Sequence, residues 1–166
     1  YNKTSTATGV ATATDNCVGS ANIAIGQSES STYSSEPSSV LHYNYVITRT
    51  WTATDVAGNS SSCVQLITVH DVTAPVITCP GDVTVNCQDN NTSTATGVAT
   101  ATDNCAGSAN IAIGQSGSST YSSDPSSVLH YNYVITRTWT ATDVAGNSSS
   151  CVQLITVHDV TAPVIT

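Results

Sequence analysis

The chain has 166 residues, of which 8% are charged, with 3 Lys+Arg against 11 Asp+Glu and a formal net charge of −8. So few basic residues exclude a nucleic-acid partner, which needs Lys and Arg to displace phosphate counterions, and exclude docking on an anionic membrane surface. No apolar run approaches the ~18 residues of a spanning helix and no basic-then-apolar signal segment opens the chain, so no membrane insertion is expected, and a secreted protein would be seen here in its mature form.

The chain is a tandem repeat. Residues 1–78 match residues 89–166, and only Tyr1/Asp89, Lys3/Asn91, Val18/Ala106, Glu29/Gly117 and Glu36/Asp124 differ, so 73 of 78 aligned positions are identical. The connector Cys79–Gln88 occurs once. A period of this size exceeds a solenoid unit and suits a small independent domain. Two domains are expected, residues 1–78 and 79–166, with a junction at 71–80. Duplication with so little drift adds length, surface or valency, since an active site is needed only once.

Thr, Val, Ile and Tyr dominate the patterned stretches and strong helix formers are scarce, so the chain is expected to be all-β. In chain order through the second repeat, Asp82–Cys87 is predicted as a short strand, followed by strands at Thr96–Thr102 and Ala109–Gly114. Gln115–Ser127, rich in Ser with Gly117 and Pro125, is predicted as a loop or a ragged edge. Val128–Asp143 is the strongest strand, with Leu129, Tyr131, Tyr133, Ile135, Arg137, Trp139 and Ala141 on one face. Residues 144–148 form a turn and Cys151–His158 returns as the last strand. No stretch has a helical period. With no Phe and no Met, the core rests on Trp139, Tyr and the Val/Ile set, and a thin core of this kind calls for disulfides.

Six Cys, at Cys17, Cys63, Cys79, Cys87, Cys105 and Cys151, fit disulfides in an extracellular chain better than metal knuckles, because no CxxC pair occurs. Composition leaves their connectivity open. Asn59 and Asn147 open N-x-S sequons in the hairpin turns, and Asn2, Asn90 and Asn91 also lie in sequons, so covalent glycans are candidates. The Ser-rich stretches 28–39 and 116–127 could carry further sugar.

One ordered set of motifs is recognisable. It runs Asp71-Val-Thr-Ala-Pro-Val-Ile-Thr-Cys-Pro, Asp82-Val-Thr-Val, Ala101-Thr-Asp-Asn-Cys105, Thr138-Trp-Thr-Ala-Thr-Asp-Val-Ala-Gly-Asn147 and Ser150-Cys151. The order resembles the hyalin-repeat (HYR) family, more closely the HYR-like repeats of giant cell-surface proteins of Bacteroidetes-type bacteria, and covers essentially the whole chain twice. The resemblance implies tandem immunoglobulin-like β-sandwich domains, extracellular placement, and structural or adhesive roles without catalysis. It implies a Cys79–Cys151 bridge, leaving Cys87–Cys105. Relatives often carry Cys where Ala57 and Ala145 stand, so a third bridge is not expected.

The resemblance also implies that residues 1–78 lack their own first strand, the counterpart of 79–88. Cys17 and Cys63 then pair with each other, or the strand comes from a preceding part of a longer polypeptide, or it comes from a neighbouring chain by strand addition. Copies of the chain itself are therefore the first expected partner.

Asp15, Asp55, Asp71, Asp82, Asp103 and Asp143 lie in loops and at the junction, and Asp71-Val-Thr-Ala-Pro looks like the acidic linker of calcium-rigidified adhesion domains. Calcium is the candidate cofactor, since it takes six to eight oxygens. The competing role is backbone capping in Asp-Asn and Asp-x-x-Gly turns. Arg49 and Arg137 stand on the Trp-bearing face and are expected to stack on Trp or pair with Asp. Ser, His and Asp form no nucleophile elbow, so no enzyme is expected. The leading expectation is a segment or subunit of an extracellular fibre or stalk. The alternatives are an adhesin repeat that binds glycans or cells and an accessory module of a secreted hydrolase.

Overall fold

The computed structural model describes residues 4–165, which form two compact units, Tyr1–Asp71 and Val72–Thr166. The division falls after Asp71 rather than after Thr78. The reason is hydrogen bonding: Val76–Thr78 forms a strand that pairs with Thr100–Thr102, so this segment goes with the second unit. The fold is mostly β, in several sheets.

The first unit holds one three-stranded antiparallel sheet, β1 (Ala24–Ser31), β2 (Tyr45–Thr54) and β3 (Ser60–Val69), in that order. The second unit repeats this meander and adds to it. Here β4 (Val76–Thr78) pairs antiparallel with β6 (Thr100–Thr102) in a separate two-stranded sheet. A four-stranded sheet runs β5 (Val83–Asn86), β9 (Ser148–His158), β8 (Tyr133–Asp143), β7 (Ile111–Ser119), with β5 parallel to β9. The long connection between β5 and β9 is what permits a parallel pair, which no tight turn could join.

Of the two alternatives for the Ser-rich stretch after Gly114, its first part takes the edge: Gln115–Ser119 continues β7 and pairs with β8 from Trp139 back to Ile135. As an edge strand it needs only backbone partners and leaves its hydroxyls in water. Two other local predictions change. Val128–His130 is a 3-10 turn whose Ser127 hydroxyl accepts from Leu129 N, so β8 begins at Tyr133. Ser93–Thr96 is one helical turn, α2, where strand alternation had been expected to begin at Thr96; its counterpart α1 is Ser5–Thr8. Thr96 Oγ1 donates to Thr92 O, a local bond that competes with strand pairing.

The core of the second unit lies on the inner faces of β8 and β9. Trp139, Ala141, Ile155 and Val157 are buried there with Arg137, Gln153 and Asp143. Each large apolar side chain buried in this way contributes about 1.5–3 kcal/mol. Gln153 is fully buried and satisfied: its Oε1 accepts from Arg137 Nη1, and its Nε2 donates to Thr96 O and Gly81 O. Arg137 also donates to Thr96 Oγ1 and Asn91 O and lies over the Trp139 ring at 6.0 Å. An unmet group at this depth would cost a few kcal/mol, so Arg137 and Gln153 are viable only as a bonded set.

Candidate functional site

The two units carry nearly one sequence in two environments, and the differences outline a site. In the second unit β5 extends the meander at its β9 edge, and β4 pairs with β6 in a second sheet. Cys79 is bridged to Cys151, Ser149 Oγ donates to Pro75 O, Leu154 N donates to Asp82 Oδ1, and Gln153 Nε2 reaches Gly81 O. In the first unit the corresponding residues are Cys63, Ser61, Leu66 and Gln65, and among the described residues none has such a partner. Gln65 Nε2 keeps only its bond to Thr8 O. Cys63 is an exposed thiol.

The consequences run through the local structure. Residues 12–14 have the Thr-Ala-Thr sequence of β6 but form no strand, because nothing pairs with them. Gln65, Ile67 and Val69 on β3 are only half-buried, whereas Gln153, Ile155 and Val157 are buried. A Cβ on Gly97, which has φ +105°, would lie 2.7 Å from Pro80 Cβ; one on Gly9, at φ +99°, would meet nothing within 4 Å. The emptied region is a groove. One part, of about 250 Å³, is lined by 11–14, Ile25, Trp51, Ala53 and 61–63. An adjoining part, of about 190 Å³, is lined by Asp15, Ile23, Asp55 and Asn59 among others. The groove therefore carries the unpaired backbone of 12–14, the buried ring of Trp51 in its lining, and an exposed thiol at its rim.

The cysteines are settled in part as the resemblance implied. Cys79 and Cys151 form a bridge with Cα atoms 5.9 Å apart. The Cys87–Cys105 pairing is not formed and stands corrected, as does the pairing of Cys17 with Cys63. Cys87 closes β5 on the four-stranded sheet, its N donating to His158 O, whereas Cys105 sits in the turn after β6 on the other sheet. Burial, and next the adjacent Asp159 carboxylate, push the Cys87 thiol up from its ordinary pKa. The Cys105 thiol accepts from Asn104 Nδ2.

Most of the aspartates serve their own turns. Asp55 accepts from Asn59 N and Nδ2, and Asp143 from Asn147 N and Nδ2. Those bonds from Asn59 hold the Asp55 carboxyl below the usual aspartate range. Asp15 Oδ1 accepts from Cys17 N and Val18 N, and Asp103 Oδ1 from Cys105 N and Ala106 N. Asp82 ties β5 to β9 through Leu154 N, and Asp71 N donates to Asn44 Oδ1. The structure thus brings Asp15 and Asp55 to one cavity, and each already has carboxylate oxygen engaged by backbone N–H groups.

Among the sequon residues, Asn59 and Asn90 are exposed and Asn147 and Asn91 half-buried. Asn91 Nδ2 donates to Tyr133 OH. Asn2 lies outside the described residues. Sequence reasoning missed the groove lining, although the repeat register contained the signal: the counterparts of residues 12–14 pair with β4, and those of Ser61 and Cys63 bond to Pro75 and Cys79. No family model matches the chain, and no curated protein does either.

Proposed function

We propose that the chain is a non-enzymatic segment of an extracellular fibre or stalk, built from HYR-like immunoglobulin-type sandwich domains and joined head-to-tail by strand complementation. The groove in the first unit carries this proposal. Val160–Thr166 repeats Val72–Thr78 residue for residue, and the latter contains β4, which fills the corresponding place in the second unit. Val164 and Ile165 are 86% and 97% exposed. Seated in the groove of another copy in the β4 register, Val164 and Ile165 would face Thr14 and Ala13. Main-chain bonds would supply affinity and the small side-chain pocket specificity, as in other strand-addition complexes. Because donor and acceptor are different surfaces, the contact is heterologous and propagates without closing. The disulfide fits an oxidising compartment outside the cell.

The test uses a synthetic peptide with the sequence of Val72–Asn86, added to the full chain in a glutathione redox buffer. Its Cys79 thiol is expected to link to Cys63, with glutathione disulfide as the oxidant, and amide exchange at 12–14 is expected to slow. Electron microscopy of peptide-free material should show filaments with an axial repeat of ~35–50 Å per domain, and excess peptide should shorten them. Linkage spread evenly over Cys17, Cys63, Cys87 and Cys105, or equal linkage by a scrambled peptide, would refute the groove as a strand acceptor.

A further inference from the structure

One of the five differences between the repeats falls on an otherwise unchanged inner surface. In the first unit Glu29 lies opposite Arg49 on β1 and β2, and Arg49 Nε donates to Glu29 Oε1 at 2.5 Å. In the second unit Gly117 takes the glutamate's place opposite Arg137. Arg137 keeps the other bonds of its counterpart, to a Thr hydroxyl and a Gln carbonyl, but among the described residues it has no carboxylate partner. Beside Gly117, which pairs with Arg137 across β7 and β8, lies a shallow cavity of about 420 Å³ lined by Gly117–Ser119, Tyr121, Tyr133 and Ile135. Every lining residue except Gly117 is identical in the first unit. There, Tyr45 and Ile47 are buried, whereas Tyr133 and Ile135 are half-exposed. Arg49 is 1% exposed and Arg137 8%.

We infer that this cavity is a binding site for a carboxylate carried on a sugar ring, that is, a uronic-acid residue. The carboxylate would occupy the position that Glu29 fills in the other repeat, on Arg137 Nε, and the ring would lie against Tyr121 and Tyr133. The first unit supplies the reason for the charge: the same arginine, in the same stack over Trp, holds a carboxylate when one is tethered within reach. A cation that is more than nine-tenths buried gains most from an anionic partner, because little water competes. The collar supplies the reason for the ring. Tyr121 is 48% exposed and meets Tyr133 edge-on with centroids 5.2 Å apart, which leaves a ring surface of the kind that accepts the C–H side of a sugar. The chain's net charge of −8 opposes long-range capture of an anion. Recognition therefore rests on contact, and is best measured near 0.15 M salt, where charges beyond about 8 Å are screened.

Arg49 and Arg137 are the only arginines in the sequence, so their two Nε–H resonances report on the two positions separately. Titration of the full chain with D-glucuronate is expected to shift the Arg137 signal and leave that of Arg49 in place. D-Glucose and acetate, each lacking half of the recognised chemistry, should bind about tenfold more weakly. Gly117→Glu should fold, since the first unit carries glutamate there, and should abolish the response by supplying its own carboxylate. Glu29→Gly should add a second responding site at Arg49. A silent Arg137 in the unmodified chain, an unchanged response in Gly117→Glu, or acetate binding as tightly as glucuronate would overturn the assignment.

Discussion

Replacing both Cys79 and Cys151 by Ala should lower the melting temperature of one unit and leave the other where it was. The bridge joins residues separated by 72 positions. Constraining an unfolded loop of that length is worth about 4 kcal/mol in the chain-entropy account. For a domain of this size each kcal/mol moves the midpoint by ~4–8 °C, so a shift of about 20 °C is expected. Differential scanning calorimetry of the full chain should show two transitions. The lower belongs to residues 1–71, which lack the bridge and the added strands β4 and β5, and the upper to residues 72–166. In the double variant only the upper transition should move. A shift of less than about 5 °C would mean that β4 and β5 hold their places without the bridge. Movement of the lower transition, or a single transition in the unmodified chain, would refute the independence of the units.

Two further outcomes follow from local geometry. Gly97→Ala should destabilise the second unit by about 3 kcal/mol or more, because φ strain and the Pro80 clash add, whereas Gly9→Ala should cost about 1–2 kcal/mol from strain alone. Urea unfolding of each variant compares them, and equal costs would show that the space beside Gly9 is not empty. The Asp55 carboxyl should titrate below its ordinary value of 3.8, chiefly because Asn59 donates to it from side chain and backbone. A depressed folded-state pKa contributes stability that is present above the unfolded value and lost as pH falls through the folded value. The Asp55 hairpin should therefore loosen only in acid below pH 3.8, and Asn59→Ala should raise the midpoint toward 3.8 in a carboxyl carbon titration.

Much of the fold was legible in the residues. The strong alternation of Tyr133–Asp143, the Asp-Val-Ala-Gly-Asn turn and the returning Cys151–His158 run carry their own period-2 pattern and turn chemistry, so these elements appear where the pattern puts them. The Ser-rich part of β7 was legible only as a loop or a ragged edge, because an edge strand needs only backbone partners and its side chains carry no hydrophobic signal. The 3-10 turn at Val128–His130 was hidden because Leu129 and Tyr131 keep the apolar alternation while the Ser127 cap diverts the backbone. The Cys79–Cys151 bridge followed from the family resemblance. The failure of Cys87 to meet Cys105 depended on which sheet each joins.

The repeat register, the composition and the near-absence of basic residues were determined by the sequence alone. They already placed a strand's worth of difference between the two repeats. What that difference does was decided by tertiary contact. The Thr-Ala-Thr of 12–14 and that of 100–102 have the same propensity, yet only the second is a strand, because only there does Val76–Thr78 satisfy its backbone groups. Arg49 and Arg137 likewise share their neighbours along the chain. One is paired with a carboxylate on the adjoining strand, and the other faces a glycine there. Identical segments diverge in this way because strand pairing and burial are properties of partners, and the partner lies elsewhere in the chain.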